Sequence, residues 1–298
     1  QSLAEVTVTA EQIEALKPQM STIQLSTKDI KNIPAFLGEV DVIRAIQLLP
    51  GVQSGSEGTT GFYVRGGSPD QNLILLDGVP VYNASHLFGF FSVFNADAIK
   101  NVQLTKGGFP SRFGGRLSSV LEIDMKEGNL REFHGAGSLG IISSKLTLEG
   151  PLVKDKTSFI ISGRRTYYDL LIRPFLPPDL TVGYYFGDLN LKLNHIFSRK
   201  DRLYLSYYGG NDKFYQRESY DGYGYEENFE SNLQWGNHTG SLRWNHLFNE
   251  KLFSNLTATY TQYRFSVGFK EEYDNQTDGF EYFSLIRDYG LRYDLEYR

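Results

Sequence analysis

The sequence contains no cysteine, which excludes a disulfide framework and any cysteine-ligated metal centre. No apolar run approaches the roughly 18 residues that a membrane helix needs, and hydrophobic residues make up only 40% of the chain. A helical membrane protein is therefore excluded. Long basic tracts are missing and the formal net charge is −5, which argues against nucleic acid as a partner. No charged-then-apolar leader stands at the N-terminus; if the protein is exported, Gln1 is expected to lie at or after a cleavage point or after an upstream domain. The spacings of a metal-binding helix, a nucleophile elbow and a phosphate loop are all absent. Gly-rich pieces such as Arg65-Gly66-Gly67-Ser68 and Gly114-Gly115-Arg116 lack the strand-to-helix context of nucleotide loops and read as tight turns. His134, His195, His238 and His246 fall singly on predicted strands, and solvation explains Asp221, Glu226, Glu227 and Glu230 as well as catalysis would. Neither an enzyme, nor a cofactor, nor a bound metal is expected.

What the chain does have is length for two domains and many aromatics, with 20 Tyr and 21 Phe in 298 residues. Beyond about residue 131 the apolar positions alternate. Tyr289, Leu291, Tyr293, Leu295 and Tyr297 oppose Gly290, Arg292, Asp294, Glu296 and Arg298. Leu189, Leu191 and Leu193 oppose Asn190, Lys192 and Asn194, while Leu203, Leu205 and Tyr207 oppose Arg202, Tyr204 and Ser206. The same holds for Leu256, Ala258 and Tyr260, and for Ile142, Leu146 and Leu148. With further strands at 157–167 and 237–248, about seven are expected, each with a lipid-facing and a wet side. Short turns at 150–155, 197–201 and 248–251 alternate with long loops expected at 168–184, 209–236 and 268–283, the asymmetry of outer-membrane barrels. A soluble β-sandwich also alternates, but normally with shorter strands.

Ahead of these strands the chain is Gly-rich and its predicted strands are short. Phe62–Arg65 and Leu73–Leu76 are apolar runs on either side of a Gly-Ser-Pro-Asp turn. Residues 39–49 place Val42, Ile43, Ile46 and Leu49 on one helical face, stopped by Pro50-Gly51. Residues 11–17 read as a helical turn and Ile23–Leu25 as a strand. Loops are expected at 54–61, 66–72 and 81–95. Arg65-Gly66, Leu76-Asp77-Gly78-Val79, Ile99-Lys100-Asn101-Val102 and Lys106-Gly107 follow one another in an order that resembles the plug domain of TonB-dependent outer-membrane receptors. Lys106-Gly107-Gly108 stands where that family commonly has Lys-Gly-Pro, a variant resembling the branch common in Bacteroidetes.

The resemblance implies an α+β plug at 11–130, followed at 131–298 by the first strands of an antiparallel all-β transmembrane barrel that is incomplete in this chain. About 22 strands would surround such a plug. It implies a bacterial outer-membrane protein with a periplasmic N-terminus, importing a siderophore, cobalamin, glycan or peptide. A ligand-sensing transducer and a secretion or adhesion barrel are the alternatives. Glu5, Val6, Thr7, Val8, Thr9 and Ala10, within a 1–10 segment, correspond to the TonB box, a strand captured by β-augmentation. The alternative for that segment is an edge strand or a disordered leader. Arg65, Gly66, Asp77, Gly78, Lys106 and Gly107 are the plug-motif residues. Ser56, Asp70, Gln71, Tyr82, Asn83, His86 and Phe88 become candidate ligand contacts by position, each with a packing or structural alternative. Arg65, Arg112 and Arg116 are candidates for a breakable ionic lock to barrel carboxylates, the alternative being solvated surface arginines. The implied partners are TonB with its ExbB/ExbD energising complex, outer-membrane lipid, an extracellular small ligand and, in some relatives of this kind, a surface lipoprotein.

Overall fold

Helix capping and turn chemistry set the front of the chain. The computed structural model describes residues 21–33, 35, 39–55, 60–222, 225–273 and 276–297. Strand β1 (Thr22–Ser26) runs into helix α1 (Thr27–Lys31), where Ser26 and Asp29 close a capping box. Helix α2 (Val42–Gln47) is capped by Asp41, whose Oδ1 accepts the Ile43 and Arg44 amides at 2.8 and 3.1 Å. The other oxygen accepts the Ser92 amide at 2.6 Å and so ties the helix to a later strand. Strands β2 (Val52–Ser54) and β3 (Phe62–Val64) pair with each other. The runs flanking the Gly-Ser-Pro-Asp turn therefore lie in different sheets, because β4 (Asn72–Leu76) pairs elsewhere.

Strand β4 turns into β5 (Val79–Pro80) through Asp77 and Gly78, with φ of 48° and 81°. Positive φ at both central residues is the two-residue hairpin geometry that Asp-Gly favours. The expected loop at 81–95 contains a small hairpin, β6 (Ser85–His86) and β7 (Phe91–Ser92). Strands β8 (Ile99–Thr105) and β9 (Ser119–Met125) complete a five-stranded sheet of order β1-β8-β9-β4-β5, parallel only between β4 and β9. Ile30, Ile43, Ile46, Val102, Leu104, Leu121 and Ile123 form its core with the helices.

The second unit is an eight-stranded antiparallel wall whose strands pair in chain order: β10 (His134–Leu139), β11 (Ser143–Val153), β12 (Thr157–Thr166), β13 (Leu180–Ile196), β14 (Asp201–Gly222), β15 (Tyr225–Leu247), β16 (Leu252–Tyr273) and β17 (Gln276–Tyr297). The α+β plug followed by antiparallel strands is the architecture the sequence led us to expect. Three details differ. Among the described residues the wall has eight strands rather than about seven, since His134–Leu139 pairs with β11 without any apolar alternation to announce it. The stretches expected as loops at 209–236 and 268–283 are mostly strand, as β14, β15, β16 and β17 continue into long hairpins. Their Tyr, Gly and acidic residues resemble loop composition, but ladder pairing needs only backbone groups. Finally, Ile142 precedes β11 and packs with Phe91 and Phe186 on the plug side instead of joining Leu146 and Leu148 on the outer face.

Gly128 marks the crossing from plug to wall. Its φ is 76°, and a Cβ there would run into the Phe159 backbone of β12. Gly128→Ala is expected to cost about 2–3 kcal/mol, read as a lower urea midpoint in micelles. Gly114→Ala, where a Cβ meets nothing within 4 Å, should stay within about 0.5 kcal/mol.

Candidate functional site

The plug meets the wall along a seam of buried polar side chains. Inward positions of the wall strands carry Ser, Thr and Asn, and a few of them carry charge. At one end the Asp77-Gly78 turn presents Asp77 Oδ1 to Lys192 Nζ at 3.0 Å. Lys192 also donates to the Met125 carbonyl at 3.0 Å, and Met125 N donates to Asp77 Oδ1 at 3.0 Å. The turn's carbonyl at Asp77 accepts Arg243 Nη2 at 3.1 Å. A Cβ on Gly78 would lie 3.4 Å from that guanidinium and 3.5 Å from Arg292. The motif turn thus serves as the surface on which the wall's cations rest.

Farther along, His86 is only 1% exposed. Its Nδ1 lies 2.5 Å from Asp212 Oδ2 and its Nε2 3.2 Å from Asp188 Oδ2. The ring stacks on Phe186 at 4.1 Å and 5°. Leu87 N donates to Asp212 Oδ1 at 3.0 Å and to the Tyr184 hydroxyl at 2.7 Å. Tyr184 donates in turn to Asp212. Arg164 donates through Nε and Nη2 to Asp188 Oδ2 at 2.9 and 2.7 Å, and through Nη2 to the Ser92 carbonyl at 2.9 Å. Glu39 Oε2 lies 3.9 Å from Arg164 and 3.7 Å from Lys145; Lys145 reaches Asp97 at 3.0 Å, and Asp97 reaches Lys31 at 2.7 Å. Charges of alternating sign therefore run from α1 of the plug, through the wall, to His86. Asn95 to Ser162 at 2.8 Å, Asn237 to the Asn83 carbonyl at 2.7 Å and Thr261 to the Pro80 carbonyl at 2.8 Å complete the seam.

Burial opposes a charged His86, but Asp212 and Asp188 outweigh it, so the ring titrates above the ordinary histidine value. The groups facing it are Asp188, Asp212, Tyr184 and, beyond Asp188, Arg164. A raised folded value stabilises the docked state fully below about pH 6.5, and that contribution is lost as pH rises through the folded value. Plug release, read as leak through the reconstituted protein, should increase toward alkaline pH. His86→Gln should leak more at acid pH and lose this dependence; an unchanged profile would remove His86 from the seam's energetics.

The residues singled out from the sequence are distributed as follows. Glu5, Val6, Thr7, Val8, Thr9, Ala10 and Ser56 lie outside the described residues, as do the expected turn at 11–17 and Arg298. Of Phe88 only the backbone is described, in a 3-10 turn. Arg65, Lys106 and Gly107 come together beside Ser21. Arg65 Nη2 donates to Ser21 Oγ at 2.9 Å, Lys106 N donates to the Ser21 carbonyl at 2.9 Å, and a Gly107 Cβ would sit 3.3 Å from Arg65. Gly66 has φ 82° and ends β3. Asp70, Tyr82 and Arg116 line one plug cavity of about 310 Å³. Gln71 uses its carbonyl to hold the Leu117 and Ser118 amides. Tyr82 hydrogen-bonds Asp288 of the wall, and Asn83 is held by Asn237.

Two placements differ from expectation. His86, expected to face an external ligand, is enclosed by wall carboxylates, because the β6–β7 hairpin turns it into the seam. Among the described residues, Arg65, Arg112 and Arg116 contact no wall carboxylate. Arg112 lies 4.8 Å over the Phe113 ring, and Arg116 donates to the Gly115 carbonyl. The seam has mostly the opposite polarity: the wall supplies Lys145, Arg164 and Lys192, and the plug supplies Glu39, Asp77 and Asp97. The signal was present in the strand alternation, where Lys145, Arg164, Asp188, Lys192 and Asp212 occupy inward positions among small polar residues.

Comparison with known proteins places this geometry. Residues 17–119 match the family described as TonB-dependent Receptor Plug Domain. Among solved structures, the chain is similar to the siderophore receptor PirA from Acinetobacter baumannii at 14% identity and a TM-score of 0.50, over 98% of this chain and 60% of that one. It is similar to the copper transporter OprC at 11% identity and a TM-score of 0.55, over 94% of this chain and 53% of that one. The RagAB peptide importer, in its closed-closed state, matches at 10% identity and a TM-score of 0.55, over 93% and 53%. At these identities the likeness is one of fold, a plug with barrel strands, and the chain spans 60% of the PirA receptor's length.

Proposed function

We propose that this chain supplies the plug (11–130) and the first wall strands (131–298) of a TonB-dependent importer in the bacterial outer membrane. The observation that carries the reading is a plug-family match at residues 17–119 docked by buried, breakable charge pairs, Asp77 with Lys192 and Glu39 and Asp97 with Lys145, onto the polar face of strands whose other face is exposed and apolar at Leu189, Leu205, Leu242 and Leu291. Among the described residues the outer edges of β10 and β17 have no partner strand, and the chain spans 60% of the PirA receptor's length; both support closure by further strands, about 22 in all, since open edges are not tolerated in lipid. The long hairpins lie outside the cell and the short turns, with the N-terminus, in the periplasm. Ligand binds above the plug, drawing on Ser56, Asp70, Gln71 and Phe88, and TonB with ExbB/ExbD pulls on residues 5–10 to unseat the seam.

The named structural neighbours handle a siderophore, copper and peptides, so the cargo is a scarce or large nutrient of that range, with cobalamin and glycans in the test set. The variant at Lys106-Gly107-Gly108 supports a Bacteroidetes-like branch, and a surface lipoprotein is the further partner to seek. A strain lacking the gene should fail to grow on one nutrient class at limiting concentration. Unchanged growth on every iron, copper, vitamin, glycan and peptide source would defeat the transporter reading.

A further inference from the structure

The outer face of the wall carries a second polar feature that the plug does not use. Helix α3 (Tyr168–Ile172) and the turn at Arg173–Phe175 pack beside β13. With β14 and β15 they enclose a cavity of about 570 Å³, whose lining includes Asp169, Arg173, Lys213, Tyr215, Arg217 and Glu230. Lys213, Tyr215 and Arg217 share the strand face of Leu203, Leu205 and Tyr207, opposite the face on which Asp212 meets His86. Thr181, Asn232 and Gln234 of the lining belong to the same face, and Val182, Gln216 and Ser231 to the other, so most of the lining turns away from the plug.

Its charges are unequally matched. Arg165 pairs with Asp169 at 3.0 Å and Arg217 with Glu230 at 3.1 Å. Among the described residues, Arg173 and Lys213 form no ion pair and are left as two cations facing one space. The height of the cavity is also informative. Lys213 follows Leu203 by about ten residues, which for a strand tilted by about 40° is about 25 Å along the membrane normal, the height of a barrel's apolar band. Around it the α3 segment exposes apolar side chains, Leu170 at 59% and Phe175 at 84%, with Tyr168 and Leu171 beside them. Cations at headgroup level next to exposed apolar groups fit one amphiphile better than a water-soluble ion.

We propose that this cavity is a headgroup site for a phosphate-bearing lipid of the leaflet on the side of the long hairpins, its phosphate held between Arg173 and Lys213 and its chains lying along Leu170 and Phe175. The proposal rests on the strands spanning a bilayer and needs no transport, so failure of the importer reading leaves it standing. The whole receptor in detergent would be titrated by native mass spectrometry with dioleoyl phosphatidic acid, dioleoylglycerol and inorganic phosphate. Phosphatidic acid should bind one to one and more tightly than either of the others. Arg173→Gln with Lys213→Gln should weaken it about 30-fold, and Lys213→Gln alone about 5-fold, which decides the matter if the double variant does not fold. Leu170→Ser with Phe175→Ser should weaken phosphatidic acid and leave inorganic phosphate unchanged. Equal binding of dioleoylglycerol, inorganic phosphate binding as tightly as the lipid, or no effect of the charge variants would each overturn the site.

Discussion

Replacing Arg164 with Met should weaken the docking of plug to wall by about 3–5 kcal/mol, the cost of removing one partner from a buried ion pair. The guanidinium holds Asp188 by two hydrogen bonds, caps the Ser92 carbonyl, lies within 3.9 Å of Glu39 and covers the Phe186 ring at 5.0 Å. Methionine keeps much of the volume over Phe186 but leaves the Asp188 and Glu39 carboxylates buried with less positive charge. Asp188 Oδ1 already lacks a hydrogen-bond partner among the described residues, so no spare contact takes up the loss. Solute leak through the reconstituted receptor should rise steeply and the urea midpoint should fall. Arg65→Ala, which breaks one exposed hydrogen bond to Ser21, should cost no more than about 1 kcal/mol and leave leak unchanged. Arg164→Met combined with Asp188→Leu should recover part of the loss, because the unpaired charge is then gone. Equal leak from Arg164→Met and Arg65→Ala would mean that the seam does not hold the plug.

Much of this architecture was legible because it depends on local rules. Asp77-Gly78 between apolar runs predicts a tight hairpin, and both residues adopt the positive φ it requires. Leu189, Leu191 and Leu193 alternate with Asn190, Lys192 and Asn194, and the structure buries the second set against the plug side. Strand His134–Leu139 escaped notice because HGAGSL is exposed throughout and has no face to reveal. The hairpin extensions around 209–236 escaped for a related reason: backbone pairing alone carries them through Gly, Asn and acidic residues that read as loop.

The seam shows where local reading stops. That Arg164 and Lys192 face inward follows from period two, yet their partners Glu39 and Asp77 lie more than a hundred positions earlier and are chosen by how the plug seats. Arginines in the glycine-rich turns looked like the lock because turns are exposed and arginine pairs carboxylates in bidentate fashion. Arg65 instead turns toward Ser21 because β3 is followed by two left-handed residues, Arg65 at φ 49° and Gly66 at φ 82°, which aim the side chain at the start of β1. His86 looked accessible in a Gly- and Phe-rich loop; a short hairpin and a stacked Phe186 enclose it.

Val8→Pro should abolish uptake while leaving surface ligand binding within about twofold. In LAEVTVTA the β-branched residues alternate as an added strand requires, and such a strand is captured through its backbone N–H and C=O groups. Proline removes one donor and restricts the preceding residue, a loss of about 3 kcal/mol when the N–H is paired. That corresponds to more than a hundredfold in affinity for the pulling partner. Val8→Thr keeps both the donor and the β-branch and should transport normally. Alternate residues of an edge strand turn their N–H groups to the same side, so Val6→Pro should lose uptake as Val8→Pro does. The segment leads toward Ser21, where Arg65 and Lys106 grip the chain, so a pull arriving there bears on β1 and, through the α1 residue Lys31, on Asp97 and the charges beyond it. Radiolabelled ligand binding to whole cells, measured beside accumulation inside them, separates the two outcomes. Parallel loss of binding and accumulation would make residues 5–10 part of the plug's own structure, and retention of uptake in both proline variants would remove them from energy coupling.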